Sequence, residues 1–383
     1  MPKMFVDIIT VRIGVLLILF SFLLVSCDSS ILGSTSWQTH GLQGQQLRVL
    51  EVGGKDARTL YAGNTQGQIF VSSDAGQYWV EQSNGLPVPN SIHVLSFDTD
   101  GQNLYAATAQ GLFMKAGGAM VWKKVTTTGL PAIDITSLIF LPDAPKALYV
   151  GTSNQGIFVS NDGGTSWQSA NGGLPRDIDI NDLTFDPAQN QLWAATSVGA
   201  YRSTNRGTSW QSFNNGLPSS IMVNMIVPAS VGGGVQGLFY MGTNHGIFLS
   251  HDSGTHWTTG AGTLAGVTVY AILVDFRGTN GTTVYTATNL GAFLSKDAGQ
   301  NWQSVASGLP KSAPVYALTF GDVNNAQLYA AADGLYAFPG TGGNVDPLRI
   351  VTYLVVIVFF FLLYRLAMRG RIMRKNLLKP ERI

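Results

Sequence analysis

The sequence has few of the residues from which disulfide frameworks and metal centres are built. Its 383 residues include one cysteine and five histidines, and charged residues make up only 12%. A single cysteine excludes an intramolecular disulfide, so burial of apolar groups must hold the fold together. The histidines show no metal-ligand spacing, and P-loop, dinucleotide-binding and GxSxG motifs are absent, so we expect neither a metal nor a cofactor.

The sequence contains a repeated motif instead. The motif SxDxGxxW occurs four times intact, once with Asn205 in place of the aspartate, once in a degraded form ending at Trp122, and once as a fragment ending at Trp37. The seven closing tryptophans are 42, 43, 45, 43, 47 and 45 residues apart, and only Trp193 falls outside the series. A fixed period of this length predicts a repeat architecture in which each unit stacks on its neighbours.

Each repeat has the same internal order. A short apolar run such as "LTFDP" is followed by "LYAAT", a TxxG turn, "GIFVS", the aspartate turn, the tryptophan and finally "GLP". Short runs rich in β-branched and aromatic residues, separated by Gly, Pro, Asn and Asp, are typical of strands in a meander. Each repeat is therefore predicted to form a four-stranded antiparallel sheet.

The number of sheets follows from two independent landmarks. The tryptophan series and the turn after "LYAAT" both occur seven times. The last repeat lacks its fourth strand, whereas the first segment, "STSWQTHGL", is a fourth strand without the preceding three. We therefore predict an all-β, seven-bladed β-propeller closed by pairing of its N-terminal and C-terminal strands, because closure leaves few exposed strand edges.

The aspartate turn is predicted to be structural. Asp and Ser side chains can bond the backbone of a hairpin, Gly supplies positive φ, and Trp buries a large ring. A catalytic or metal-binding role is disfavoured because one repeat carries Asn and another lacks the motif. The residues of this predicted clamp are Asp74, Trp79, Asp162, Trp167, Asn205, Trp210, Asp252, Trp257, Asp297 and Trp302.

Over roughly residues 34 to 338, these motifs resemble those of the Asp-box or BNR-repeat β-propeller family, which includes Ycf48-like, sortilin-like and sialidase-like propellers. The resemblance implies the propeller fold. It does not imply one activity, since the family's members bind or cleave different ligands.

The N-terminal residues 1–27 are predicted to be a signal peptide or membrane anchor. Lys3 and Arg12 flank the start of a 13-residue apolar run, Ile13–Val25, which is short for a membrane span but fits a signal-peptide core. The "LVSC" ending resembles a bacterial lipoprotein box, which makes Cys27 a candidate lipidation site. The alternative is a free cysteine at the end of an uncleaved anchor.

The C-terminal region is predicted to tether the protein to a membrane. A Gly-rich linker at 339–349 precedes an apolar segment at 350–368 that is long enough to form a transmembrane helix. The net charge from Arg365 to the end is +6, so the tail at 369–383 is predicted to be cytoplasmic. The propeller, at 28–338, is then extracytoplasmic at the cell membrane. Residues 28–346 carry 13 basic and 20 acidic residues, a net charge of −7, so we expect no nucleic-acid partner.

One end of the propeller carries the variable residues. In the predicted meander, the TxxG turns and the loops after "GLP" share an end opposite the aspartate turns. Polar side chains there are able to bind sugar hydroxyls or a protein backbone, although they are also ordinary for surface loops. The ligand-face candidates are Asn64, Gln66, Gln110, Asn154, Gln155, Arg176, Asn244, His245, Asn289, Lys311 and Asp333.

Catalysis is weakly supported by the sequence. Glycoside hydrolysis usually needs two carboxylates across the scissile bond, and the acidic group that comes nearest to this pattern is Asp177, Asp179 and Asp182. Its DxDxN start fails as a calcium loop because Asp182 and Ala188 occupy the positions that require Gly and Glu. A sialidase-like arginine cluster is also missing, since residues 28–346 contain only six arginines.

We therefore predict a membrane-tethered, extracytoplasmic propeller that is a non-catalytic binding or assembly module for a membrane protein complex. The alternative is a cell-surface glycan-binding protein or a weak glycoside hydrolase of the BNR or sialidase-like type. A receptor that signals through the single helix is disfavoured, because a cytoplasmic tail of 15 residues is too short for a domain.

Overall fold

The structure is a computed structural model of the whole chain. It describes residues 36–53, 57–126, 128–229, 236–260, 264–276, 283–311, 313–321 and 327–338. The chain divides into two units, Met1–Gly340 and Thr341–Ile383, and all described residues belong to the first. In this described part, no helix is long and apolar enough to span a membrane. The predicted segments 1–27, 339–349, 350–368 and 369–383, together with Cys27, lie outside the described residues.

Among the residues that the structure describes, twenty-eight strands form seven four-stranded sheets, which we call blades 1 to 7. Blade 1 contains β2 (Leu47–Gly53), β3 (Thr59–Asn64), β4 (Ile69–Ser72) and β5 (Val80–Glu81). Blade 2 contains β6 (Ile92–Phe97), β7 (Asn103–Thr108), β8 (Gly111–Ala116) and β9 (Lys123–Lys124). Blade 3 contains β10 (Ile135–Leu141), β11 (Ala144–Thr152), β12 (Gly156–Ser160) and β13 (Gln168–Ser169). Blade 4 contains β14 (Ile180–Asp186), β15 (Gln191–Thr196), β16 (Gly199–Ser203) and β17 (Gln211–Ser212).

The remaining blades follow the same order. Blade 5 contains β18 (Val223–Pro228), β19 (Phe239–Thr243), β20 (Gly246–Ser250) and β21 (Thr258–Thr259). Blade 6 contains β22 (Val269–Asp275), β23 (Thr283–Thr288), β24 (Gly291–Ser295) and β25 (Gln303–Ser304). Blade 7 combines β26 (Ala317–Gly321), β27 (Gln327–Ala331) and β28 (Leu335–Phe338) with β1 (Gln38–Thr39) from the start of the ring.

The all-β, seven-bladed propeller predicted from the repeats is confirmed. Neighbouring strands within each blade pair antiparallel in chain order. In blade 7, Gln38 pairs with Ala337 and Thr39 with Tyr336, so the two ends of the ring complete one sheet as predicted. The first strand of each blade contacts the first strands of its neighbours, and these inner strands line the central channel.

Apolar side chains fill the spaces between adjacent blades. The cluster between blades 3 and 4, for example, combines Tyr149 and Ile157 of blade 3 with Leu183 and Leu192 of blade 4. Such a core belongs to no single blade, which explains physically why one repeat cannot fold alone. It also fixes the angle between neighbouring blades and hence the positions of their end loops.

The aspartate turn clamps its hairpin, as predicted. Asp162 Oδ1 accepts hydrogen bonds from Ser160 Oγ at 2.8 Å and from the backbone N–H groups of Thr165 at 3.0 Å and Ser166 at 2.9 Å. Hydrogen bonds from the Ser166 hydroxyl and backbone lower the pKa of Asp162 to about 2. We call this hairpin end the Asp turn. The hydrogen-bond partners of the carboxylate all belong to the same turn, and they serve the hairpin rather than a catalytic reaction.

Asn205 reproduces the same clamp without a charge. Its Oδ1 accepts hydrogen bonds from Ser203 Oγ and from the backbone N–H of Ser209, both at 2.9 Å. The amide oxygen therefore replaces the carboxylate oxygen geometrically. This equivalence supports a structural function for the aspartates.

The closing tryptophans do more than pack within their own blade, which the sequence analysis did not foresee. Trp257 is 1% exposed, and its Nε1 donates to the Phe213 carbonyl of the preceding blade at 3.0 Å. Trp210 donates in the same way to Ala170 at 2.8 Å, and Trp37 to Val305 at 2.6 Å. Each of these indoles therefore joins two blades.

The "GLP" landmark completes this junction. The glycine of each motif has positive φ, which is +89° at Gly216, and a Cβ there would lie 2.0 Å from the Trp257 carbonyl oxygen. The Trp257 N–H donates to Asn215 O at 2.9 Å. Glycine is required because the loop backbone of one blade packs directly on the tryptophan backbone of the next.

Candidate binding face

The meander places the loops at two ends of the propeller, as expected. One end carries the Asp turns and the turns between the first and second strands. The other, which we call the loop face, carries the second turns and the interblade loops. Contacts between these two kinds of loop confirm the arrangement: Asn154 N donates to Asp179 Oδ1 at 3.0 Å, and Thr268 N donates to Asn289 Oδ1 at 3.0 Å.

Most of the predicted ligand-face residues are available to a partner. Eight of the eleven are exposed, namely Gln66, Gln110, Asn154, Gln155, Arg176, His245, Lys311 and Asp333. Some of these are already engaged within the fold: Gln110 Nε2 donates to Pro89 O at 2.7 Å, and the Asp333 carboxylate accepts from the Tyr336 hydroxyl at 2.8 Å.

The assignment of Asn64 to the ligand face is wrong. Its side chain is fully buried, and its Oδ1 accepts from the N–H groups of Gln66 at 3.0 Å and Gln68 at 2.8 Å. Asn64 therefore closes its turn from inside. Asn244 and Asn289 are half-buried and also accept backbone hydrogen bonds, from Met222 at 3.2 Å and Thr268 at 3.0 Å, so their main contribution is to hold loops together.

Aligning the turn tips reveals apolar residues that the sequence analysis missed. Blades 1 to 3 present Gln66, Gln110 and Gln155, which we call the amide arc. In blades 4 and 6 the same position holds Val198, 48% exposed, and Leu290, 54% exposed. Met222, in the loop between blades 4 and 5, is 40% exposed. We call Val198, Met222 and Leu290 the apolar arc.

Val88 is a further exposed apolar side chain on the loop face, in the loop between blades 1 and 2. The structure therefore shows a partly apolar face rather than a uniformly polar one. In the described part of the chain, the other large exposed hydrophobic side chains lie near the third hairpin turns of blades 1 and 2, namely Tyr78, Val80, Met120 and Val121.

A second set of residues, which the sequence did not reveal, surrounds the mouth of the channel. In six inner strands the second residue is an extra, bulged residue that interrupts the register with the neighbouring strand. Because each inner strand starts at the loop face, these residues surround the channel at that end. Tyr316 occupies the corresponding position in blade 7. The full ring is Arg48, His93, Thr136, Asn181, Asn224, Tyr270 and Tyr316.

Part of this ring links neighbouring blades. Asn181 Nδ2 donates to Val223 O and Asn224 Nδ2 donates to Val269 O, each at 2.7 Å. Aligning the repeats at "RVL", "HVL", "NDL" and "NMI" would have revealed a polar or aromatic residue at one fixed position. The bulge itself carries no clear signal in the sequence, because β-bulges depend on the pairing of two strands.

The ring contains a stack of one cation and two aromatic rings. The Arg48 guanidinium carbon lies 3.5 Å from the centroid of the Tyr316 ring, and the centroids of Tyr316 and Tyr270 are 5.1 Å apart. Arg48 is exposed. In the described part of the chain the ion pairs are His93 with Asp134 and Arg206 with Asp143, so Arg48 has no carboxylate partner there.

His93 and Asp134 form an ion pair at the same mouth, and His93 lies in blade 2, next to the blade that carries Arg48. His93 Nε2 lies 3.0 Å from Asp134 Oδ1, and both side chains are about one-third exposed. The hydrogen bond from His93 is the main reason that the pKa of Asp134 is lowered. The pair fastens blade 2 to the loop that leads into blade 3.

The acidic candidates for catalysis do not form a shared site. Asp177 is exposed with φ of +54°, whereas Asp179 is half-buried and accepts from the Asn154 N–H. Asp182 lies farther along, in inner strand β14, where its Oδ2 accepts from Thr184 Oγ1 at 3.2 Å. Burial raises the pKa of Asp182 to about 7. Asp333 belongs to blade 7, three blades away.

The described arginines also lack the arrangement that a sialidase would need. Arg206 pairs with Asp143 at the Asp-turn end, and Arg202 lies 3.7 Å over the Phe213 ring. Neither reaches the loop face. Among the described residues, no group of three His, Cys, Asp or Glu side chains is placed to hold a metal ion. An open depression between blades 5 and 6, lined by His251 and Asn301, lies on the Asp-turn side.

Comparisons with known proteins agree with the propeller architecture. No protein-family model matches the chain. The photosystem II assembly lipoprotein Ycf48 of Synechococcus sp. (strain CC9902) is 26% identical over 141 residues, which cover 36% of this chain and 40% of that protein. The match thus spans less than half of the curated relative.

Solved structures resemble the chain more extensively but at low identity. Ycf48 bound to a D1 peptide has a TM-score of 0.59 and 16% identity, covering 80% of this chain and 96% of that one. The GH74 xyloglucanase of Xanthomonas campestris has a TM-score of 0.59 and 14% identity, covering 82% of this chain and 55% of that one. At such identities the structural likeness shows the fold alone. The chain is therefore a seven-bladed propeller that shares local sequence similarity with Ycf48.

Proposed function

We propose that this protein is a membrane-tethered, extracytoplasmic propeller that binds a segment of a membrane protein complex and assists its assembly without catalysing a reaction. The observation that carries the proposal is the character of the loop face. It presents exposed amides and apolar side chains around a polar channel mouth, while its acidic residues are dispersed. Such a mixture suits a protein surface better than it suits bond cleavage.

The similarity to Ycf48 supports the same proposal. That protein is named a photosystem II assembly lipoprotein, and a solved Ycf48 structure holds a D1 peptide. We extend from it only the class of partner, a segment of a membrane protein. The tether is proposed from the apolar segment at 350–368 and from Cys27.

Affinity isolation tests this proposal. The detergent-solubilised full-length protein would be isolated from membranes of its host and its partners identified by mass spectrometry. The loop-face variant replaces Asn154, Gln155, Arg176 and Lys311 with Ala. The matched control replaces two amides and two cations at the opposite end, namely Lys146, Gln189, Lys296 and Gln300.

We expect a stoichiometric membrane partner that is lost in the loop-face variant and retained in the control. Equal loss in both variants, or no partner with any of the three proteins, would contradict the proposal. Binding of purified protein to a sugar array would instead support the glycan alternative.

A further inference from the structure

We propose that the Arg48–Tyr316–Tyr270 stack and the apolar arc form one continuous site for an extended polypeptide that carries a carboxylate and aliphatic side chains. This inference rests on the proposed binding function and names the chemistry of the bound segment. It is carried by three features: the stack, the apolar arc, and the backbone bonds that hold them side by side.

The stack supplies a fixed positive charge. Packing on Tyr316 at 3.5 Å holds the Arg48 guanidinium in place, and the Tyr270 ring packs against Tyr316 at an interplanar angle of 43°. A guanidinium presents several donors in one plane, which suits a carboxylate. Since Arg48 is exposed and forms no ion pair with the described residues, its charge is available to a partner.

The apolar arc adjoins this stack through backbone hydrogen bonds. The turn that carries Leu290 is bonded to blade 7, because Val315 N donates to Thr288 O at 2.9 Å just before Tyr316. The same turn is bonded to the segment before Tyr270, where Asn289 N donates to Thr268 O at 3.0 Å. The turn that carries Leu290 is therefore tied by its backbone to the segments that lead into both tyrosines.

The arc continues around the ring from Leu290. In blade 5, the exposed His245 occupies the turn tip, and Asn244 N donates to Met222 O at 3.2 Å, which ties Met222 to that turn. Val198 occupies the tip of blade 4. The order around the face is thus cation, aromatic pair, then aliphatic side chains on successive blades.

This order favours an extended peptide over a glycan. Aliphatic side chains offer nothing to sugar hydroxyls, whereas they bury the alternate side chains of an extended chain. Blade 4, the loop between blades 4 and 5, and blade 6 contribute one apolar side chain each, so the arc forms a line rather than a broad patch. A line of this kind matches a single strand of polypeptide, with its carboxylate directed to Arg48.

The carboxylate of the bound segment belongs either to its C-terminus or to an Asp or Glu side chain. Three peptides distinguish these two cases. The probes are fluorescein-labelled octapeptides: SGLAVGLA with a free C-terminus, the same peptide amidated, and amidated SGLAVDLA. Fluorescence anisotropy is measured with the full-length protein in detergent micelles, and empty micelles supply the background.

We expect the amidated peptide without Asp to bind at least about tenfold more weakly than one of the two acidic peptides, because it lacks the carboxylate that would accept charged hydrogen bonds from Arg48. Whichever acidic peptide binds identifies the source of the carboxylate. Arg48→Gln should reduce that affinity to the level of the amidated peptide. Lys146→Gln, which removes an exposed cation at the opposite end of the propeller, should leave it unchanged. A Met222→Ser and Leu290→Ser double variant should weaken all three peptides by a similar factor.

Several results would overturn the inference: no binding by any peptide, insensitivity to amidation and to Asp, or unchanged binding by Arg48→Gln. Failure here is distinguishable from failure of the proposed function. If Arg48→Gln still captures the membrane partner in affinity isolation and the four-residue loop-face variant does not, the binding function stands and the site lies elsewhere on the face.

Discussion

The indole bond between blades can be tested by Trp257→Phe. This change deletes the Nε1 donor 3.0 Å from Phe213 O and shortens a ring that is 1% exposed. Leaving the carbonyl unpaired costs about 1–3 kcal/mol, and the smaller ring adds about 1 kcal/mol of lost packing. The sum is a large part of the roughly 5–15 kcal/mol that stabilises most folded domains.

Trp193→Phe is a matched control for this variant. Trp193 is also fully buried and lies against Trp257, with 6.4 Å between ring centroids, but its Nε1 has no hydrogen-bond partner among the described residues. The control therefore loses the same ring atoms without losing a bond. In thermal unfolding of the full-length protein followed by circular dichroism, the Tm of Trp257→Phe should lie at least about 2 °C below that of Trp193→Phe, since 1 kcal/mol shifts Tm by about 2–4 °C in large domains. Equal Tm values would refute the idea that the indole bond stabilises the blade junction.

Three further changes test other parts of the structure. Asp252→Asn should leave Tm at pH 7 unchanged, because Asn205 already forms the same clamp in its own repeat. Asp252→Ala should lower Tm. An equal loss of Tm in both variants would show that the charge itself is required. Burial raises the pKa of Glu51 from 4.5 to about 7, so the folded state binds this proton more tightly than the unfolded state does. The resulting contribution to stability is fully present below pH 4.5 and is lost as pH rises through about 7. Glu51→Gln should therefore raise stability at pH 8 by up to about 3 kcal/mol and leave it unchanged at pH 4, as measured by Tm at both pH values. Gly216→Ala should destabilise by roughly 2 kcal/mol or more in the same assay, because its Cβ would meet the next blade's tryptophan carbonyl, whereas Gly101→Ala, with φ of +66° and open space around it, should cost about 1 kcal/mol.

The fold was predictable because its main signals are local and repeated. The tryptophan spacing and the turn after "LYAAT" were each sufficient to count blades, the split repeat at the two ends predicted how the ring closes, and strand pairing followed from the meander. The interblade bond of Trp257 was not predictable, because it depends on which carbonyl of another repeat lies opposite the indole.

The candidate site was predictable in location but only partly in composition. The turn sequences placed Gln66 and Gln155 at the loop face, where both are exposed. Selecting polar residues at those turns wrongly included Asn64, whose amide bonds its own turn, and omitted Leu290, which a search for hydrogen-bonding groups cannot find. Arg48 escaped notice because its exposure comes from a bulge in an inner strand.

The pairing of Gln38 with Ala337 has a consequence for how the molecule folds. Blade 7 cannot acquire its outer strand until nearly the whole ring has been synthesised, so β1 has no native strand partner while blades 1 to 6 form. The contacts that close the ring have the largest separation in sequence of any pairing in the fold, and contacts of this kind form late. Until then blade 7 presents an open strand edge, which is the stage at which an unfinished chain is most prone to pair with another copy.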